Sequence, residues 1–288
     1  MTSIDDTLPP GETAQPGRFT LLMRTRPEIV LAPLLLVVVV LAWEYGVLWL
    51  DVPTYILPPP SRIAFAMWQG LDAGIFDRGG YWLHAGVTVA EVLLGFFIGS
   101  GVGLILGTVI SQFRILEATL RVYLVAIQSL PKVALAPIIV MWFGFGLTSK
   151  VVIICLLTFF PLLITSMAGF KAVDAERLEL MRALGARPWQ IFWKVRFPSA
   201  LPYIFAGLDM AAVLAVVGAV VGEFVGADKG LGYLLLVTNS NMETALMFAT
   251  LVGLTFIGLV FFYSVEFLES LLIPWHVSHR VREESGTM

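Results

Sequence analysis

Glu44, Glu91, Lys132, Asp209, Glu223 and Glu266 stand inside stretches that are otherwise apolar. A charge within a membrane span is costly, so it faces either a protein partner or water. Glu44 and Glu223 fall near one end of their stretches and Asp209 and Glu266 near the other, where a charge is mostly a helix-end feature. Lys132 differs. It lies about 16 Å beyond Arg121 at 1.5 Å per residue, between Pro131 and Pro137. Prolines remove backbone donors and leave carbonyls free, and broken helix at membrane depth needs protein or an aqueous cavity around it. Gln128, Ser129, Lys132 and Asp209 therefore form a candidate translocation path in which Lys132 attracts an anion. The competing reading pairs Lys132 internally with Glu91 or Asp209.

Other chemistries find no residues. His84, His276 and His279 have no metal-ligand spacing with Cys155 or with carboxylates. No glycine-rich loop carries the Lys and Ser/Thr that cradle phosphates. No catalytic residue, metal or cofactor is assigned to this chain, and it is not expected to be an enzyme or to bind nucleic acid. A single cysteine rules out a disulfide framework.

The elements that must position these residues are membrane spans. Of 288 residues 58% are hydrophobic and 14% charged, against about a quarter charged in soluble domains. Mean hydropathy is +0.87. Six stretches reach the roughly 20 apolar residues a span needs: 29–50, 85–110, 122–143, 151–170, 203–225 and 245–273. The third is interrupted by Gln128, Pro131, Lys132 and Pro137. With the N-terminus in the cytoplasm, Arg and Lys concentrate inside (Arg18, Arg24, Arg26, Arg114, Arg121, Lys171, Arg177, Arg182, Arg187, Lys194, Arg196, Arg280, Arg282). Outside there are only Arg62, Arg78, Lys150 and Lys229. That asymmetry predicts six spans with both termini inside. The first twenty residues lack the pattern of a cleaved signal, so the first span is expected to insert the chain.

Domain organisation follows: a cytoplasmic tail over 1–28, a six-helix domain over 29–273, and a cytoplasmic tail over 274–288. After the first span, Leu57-Pro-Pro-Pro-Ser61-Arg62 predicts a rigid exit and then a short amphipathic helix around Ile63 to Leu71. Gly95, Gly99, Gly103 and Gly107 form one stripe on the second span, with Gly101 nearby. Gly207, Ala211, Ala215 and Ala219, with Gly218, Gly222 and Gly226, do the same on the fifth. Small residues at this spacing let helices approach closely. The contact is either packing within the chain or a sliding contact between subunits.

The segment between spans four and five, within a loop over 171–202, is larger than a connection needs. Asp174 can cap a helix, Gly185 can stop it, and Pro188 suits the start of a second helix, which Pro198 is expected to end. Trp189, Ile191, Phe192 and Val195 make that second helix apolar. A charged hairpin with such a surface reads as a docking element.

Glu179, Gly185 and the Val195-x-Phe197-Pro198 ending resemble the E-A-A-x-x-x-G-x9-I-x-L-P loop of ABC-importer permeases. Trp43-Glu44, Leu57-Pro-Pro-Pro-Ser61, Pro131-Lys-Val-Ala-Leu-Ala-Pro137, Trp142-Phe-Gly-Phe-Gly146 and Gly230-Leu-Gly232 are similar to the branch that imports sulfonates, taurine and nitrate. The resemblance covers about residues 28–275. It implies an all-α integral membrane fold of six transmembrane helices with a cytoplasmic coupling hairpin between helices 4 and 5. It implies that Glu179, Ala183, Leu184, Gly185, Arg187 and Pro188 dock a cytoplasmic ABC ATPase dimer, which would hold ATP and magnesium. It further implies an inner-membrane location, a homodimer with a second permease copy, and an external substrate-binding protein. Leu180 and Met181 replace the two motif alanines while staying apolar, and Asp209 stands where many relatives carry a basic residue. The cargo is left open among sulfonates or taurine, nitrate and small heteroaromatics. An autonomous secondary carrier, the alternative, predicts inverted repeats with paired broken helices, and no second copy of the broken third span is visible.

Overall fold

The computed structural model describes residues 27–72 and 80–275. The tails assigned to 1–28 and 274–288 fall almost wholly outside these residues, as do Arg78, His276 and His279. The chain divides after Arg62 into two compact units.

In the first unit, helix α1 (Pro27–Trp49) carries the first apolar run. The chain leaves it through Pro58 and Pro59, and Pro60 opens helix α2 (Pro60–Asp72), where a missing N–H is tolerated; only its first residues, to Arg62, belong to this unit. Glu44 accepts hydrogen bonds from the backbone N–H of Ser61 at 2.9 Å and from its Oγ at 2.7 Å. A carboxylate at a helix N-terminus offsets the exposed amide dipoles there. Glu44 is thus a helix-end charge with a structural task.

The second unit contains α3 (Tyr81–Gln112), α4 (Arg114–Gln128), a 3-10 turn (Lys132–Leu135), α5 (Ala136–Phe143), α6 (Leu147–Lys171), α7 (Ala175–Ala183), α8 (Pro188–Ile191), a π-turn (Phe192–Arg196), α9 (Phe197–Gly226), α10 (Leu231–Ser240) and α11 (Thr244–Leu272). No strand occurs among the described residues. Among the described residues, five helices are long and apolar enough to cross a membrane, and α4 with the segment Lys132–Phe143 counts as a sixth only as a bent pair.

That bend is the interruption expected in the third span over 122–143. Its two halves meet at 75°. Pro131 falls in the break, while Pro137 sits at the start of α5, where an amide donor would be idle anyway. Only one proline interrupts a helix. Helix α10 was not foreseen: ten apolar residues are too short to span, and the sequence marks it only by Gly230 and Gly232.

Helix α6 is the centre of the unit. The four α3 glycines all face it, so their stripe is packing within one chain. A Cβ at Gly99 would stand 2.7 Å from Cys155 Cα, and one at Gly103 would stand 2.5 Å from the Phe159 carbonyl oxygen. On its other side α6 meets α9, where Gly207 abuts Thr165 and Leu162, Gly218 abuts Ile154, and Ala211, Ala215 and Ala219 are fully buried. Gly101 faces open space and belongs to no stripe. Ile154, Leu162 and Leu163 of α6 are completely enclosed.

Gly103→Leu should therefore drive α3 and α6 apart and cost about 1–3 kcal/mol or more, as overpacking does. Gly101→Leu should be near neutral. Thermal unfolding in detergent separates the two; equal behaviour would contradict this packing.

Candidate functional site

Three regions hold the residues singled out by sequence. At the end of α9 farthest from the hairpin lies a buried polar cluster. Lys150, on the first turn of α6, places Nζ 2.9 Å from Glu91 Oε1 on α3, and both side chains are almost fully buried. Glu223 on α9 stands close enough to Glu91 for the two carboxylates to interact. Its Oε1 accepts from Thr88 Oγ1 at 2.6 Å, and its Oε2 accepts from the backbone N–H of Gly232. The Leu231 N–H donates to Thr88 Oγ1 at 2.8 Å, and the Gly230 N–H donates to His84 Nδ1 at 3.0 Å. The first amides of α10, which no turn of its own can satisfy, are thus met by side chains of α3 and α9.

Glycine is required at this seat. Gly230 has φ +114°, and a Cβ there would fall 2.3 Å from the Glu223 carboxyl. At Gly222 a Cβ would press on Lys150 at 3.2–3.4 Å. Sequence reasoning flagged Glu91 and Glu223 but counted Lys150 as an outside loop charge. The structure puts it inside α6. A usable signal was present: two carboxylates at equal depth from the same end require a nearby cation, and Lys150 is the basic residue that opens the fourth apolar run.

The broken third span holds the second region. Lys132 Nζ donates to the Gln128 carbonyl at 3.3 Å and lies 4.8 Å from the centre of the Phe160 ring, a cation–π contact. Its expected pairing with Glu91 is corrected, because Glu91 is held by Lys150. Ser129 is exposed and donates to the Val125 carbonyl. Asp209 is half-buried on α9. Gln128, Ser129 and Lys132 come together at the bend of the third span, whereas Asp209 is carried by α9. Near the hairpin end of α6, Lys171 pairs with Glu117, and Arg121 and Gln128 line the cleft beside them.

The hairpin is the third region. Asp174 Oδ1 accepts from the Glu176 N–H at 3.1 Å and caps α7. Gly185 takes φ +73°, and the Gly185 and Ala186 N–H groups donate back to the Arg182 and Met181 carbonyls. This pair of bonds closes a helix around a left-handed residue. Gln190 Oε1 accepts from the Arg187 N–H at 2.8 Å, and Pro188 opens the next helix. That helix does not end at Pro198. It runs unbroken from Pro188 to Gly226. The π-turn over Phe192–Arg196 widens the backbone just ahead of Pro198, and the Phe197 N–H bonds to the Phe192 carbonyl five residues back. The widened turn accommodates a proline ring that would strike the carbonyl four residues earlier in regular α-helix.

The apolar side of the hairpin is partly used by the chain itself. Phe192 stacks on Phe170 at 5.7 Å, and Trp193 packs on Phe197 at 5.0 Å. Glu179, Ala183, Leu184, Gly185, Arg187 and Pro188 are all exposed, with Leu184 73% and Trp189 69% accessible.

Lys150→Met leaves Glu91 and Glu223 buried without their cation and should destabilise by about 3–5 kcal/mol. Combining it with Glu91→Leu should recover most of that loss, since an apolar pair of similar volume replaces an ion pair at little cost. Unfolding midpoints of the two variants measure this, and no recovery in the double variant would show that the ion pair is not the unit.

Comparison with known proteins agrees with this architecture. Residues 99–275 match the family described as "Binding-protein-dependent transport system inner membrane component". The riboflavin transport system permease protein of Chloroflexus aurantiacus is 38% identical over 246 residues, 85% of this chain and 90% of that protein. The formylaminopyrimidine transport permease protein of Halalkalibacterium halodurans is 34% identical over 233 residues, 81% and 90% of the two. Among solved structures, an amino acid ABC transporter crystallised with histidines shares the fold at a TM-score of 0.51 and 20% identity. That match covers 73% of this chain and 94% of the other. With that family match and those identities, the chain belongs to the inner-membrane permeases of binding-protein-dependent ABC transport systems.

Proposed function

We propose that this permease pairs with a second copy of itself to form the path of an ATP-driven importer, with the hairpin docking a cytoplasmic ABC ATPase dimer. The observation that carries this is the hairpin's surface. Its fold is closed by its own caps and the Phe170–Phe192 stack, yet Leu184 and Trp189 remain turned outward among charged neighbours. An apolar patch rimmed by charge marks a protein contact. Glu179, Ala183, Leu184, Gly185, Arg187 and Pro188 form the docking face, and ATP and magnesium are bound by the partner. Alternating access at the homodimer interface follows from hydrolysis there.

Lys171, Arg177, Arg182, Arg187, Lys194 and Arg196 cluster at the hairpin end, and this supports a cytoplasmic position for that end and for both termini. The opposite end receives solute from an external binding protein. Gln128, Ser129, Lys132 and Asp209 line the inner part of the path. Both curated relatives described above are named for nitrogen heteroaromatics, which favours a small heteroaromatic cargo over a sulfonate, taurine or nitrate.

Affinity purification of the tagged permease should bring down an ATPase with nucleotide-binding motifs. Glu179→Ala should weaken the association, and Gly185→Pro, which breaks the left-handed turn, should abolish it along with ATPase stimulation. Solute uptake that continues in proteoliposomes without any ATPase would instead favour an autonomous carrier and overturn the proposal.

A further inference from the structure

We infer that the cleft beside α10 is the solute's reception site at the outer end of the path, and that it takes an uncharged heteroaromatic ring rather than an anion. The inference rests on the import reading above and adds to it a place and a selection rule. The cleft holds about 810 Å³. Its floor is the polar cluster, represented by Lys150 and Glu223, and its walls include Phe145, Phe224 and Tyr233. Ser240 and Asn241 at its edge supply hydroxyl and amide groups.

Electrostatics decides the class of ligand. The ionisable residues that line the cleft are Lys150, Glu223 and Asp228, and Lys150 is the one basic group among them. Lys150 is 5% exposed and its ammonium is committed to Glu91. It cannot turn to a second anion without abandoning a buried carboxylate, a costly exchange in low dielectric. Lys229 is exposed but lies outside the lining. A sulfonate or nitrate therefore meets the Asp228 carboxylate with no lining cation free to pair with it.

A flat neutral ring meets a different surface. Phe145 projects with 82% of its surface exposed, directly after Gly144, whose φ of +81° turns the chain out of α5. Tyr233 faces the cleft from α10 and is backed by the His84 ring, parallel at 6.0 Å. Aromatic walls favour stacking, and a few placed polar groups fix orientation. The seat of α10 on Glu223, Thr88 and His84 holds Tyr233, Ser240 and Asn241 in place.

The test is a titration of the permease–ATPase complex in lipid nanodiscs with riboflavin, a fluorescent heteroaromatic, read by quenching. Saturable quenching is expected, weakened about five- to ten-fold by Phe145→Ala and by Asn241→Ala, the scale of one lost stacking or hydrogen-bonding partner. Unfolding midpoints check that both variants remain folded. Taurine and nitrate should not displace the flavin from the unaltered protein, whereas Asp228→Lys should let taurine compete. No saturable quenching, or quenching indifferent to both alanine variants, overturns the site. Displacement by taurine from the unaltered protein, or none in Asp228→Lys, overturns the selection rule. A complex that still requires Glu179 and Gly185 for ATPase binding but fails the titration sinks the cleft alone; one that never binds an ATPase sinks the import reading.

Discussion

Everything in the second unit depends on how closely α3 and α9 can approach α6. Lipid tails are as apolar as the side chains they touch, so no hydrophobic force presses helices together within the bilayer. What remains is dispersion, and its strength falls steeply with small gaps. By removing side chains from two facing stripes, the sequence lets backbone meet backbone, and Gly103 against Phe159 and Gly107 against Leu163 are the clearest instances. The large residues Ile154, Leu162 and Leu163 of the central helix are then fully enclosed.

Close packing at the middle leaves the ends to polar chemistry. At the far end of α9, Lys150 pairs with Glu91, while Glu223, Thr88 and His84 receive the first amides of a short helix. The arrangement joins α3, α6, α9 and α10 through directional bonds that apolar contact does not supply. An apolar cluster in the same space would leave the first amides of α10 without acceptors, so the polar groups specify where α10 sits. The first unit uses a related device in miniature, with Glu44 seated at the start of α2.

The sequence revealed spans, stripes and hairpin because each rests on local signals. Apolar length set the helices, four-residue spacing set the stripes, and Asp174, Gly185 and Pro188 punctuated the hairpin. What it hid required knowledge of neighbours. Lys150 looked like a loop residue because counting charges by segment ignores which of them a carboxylate on another helix claims. Pro198 looked like a stop because proline ends a regular helix, and the π-turn that rescues it has no sequence mark. Lys132 invited pairing with Glu91 because both are isolated in hydrophobic text, although Glu91 was already taken. The candidate site was thus legible in its carboxylates and glycines, and illegible in its cation and in the short helix that completes it.

The continuity of the hairpin with the fifth span has a geometric consequence. The helical run from Pro188 to Gly226 has 39 residues, a rod about 58 Å long at 1.5 Å per residue. Pivoted near one end, such a rod tilted by about 10° sweeps its other end through about 10 Å by simple trigonometry. That displacement exceeds the width of a flat ring. A small rotation at the hairpin end would thus be amplified, by length alone, into a movement of that size at the opposite end.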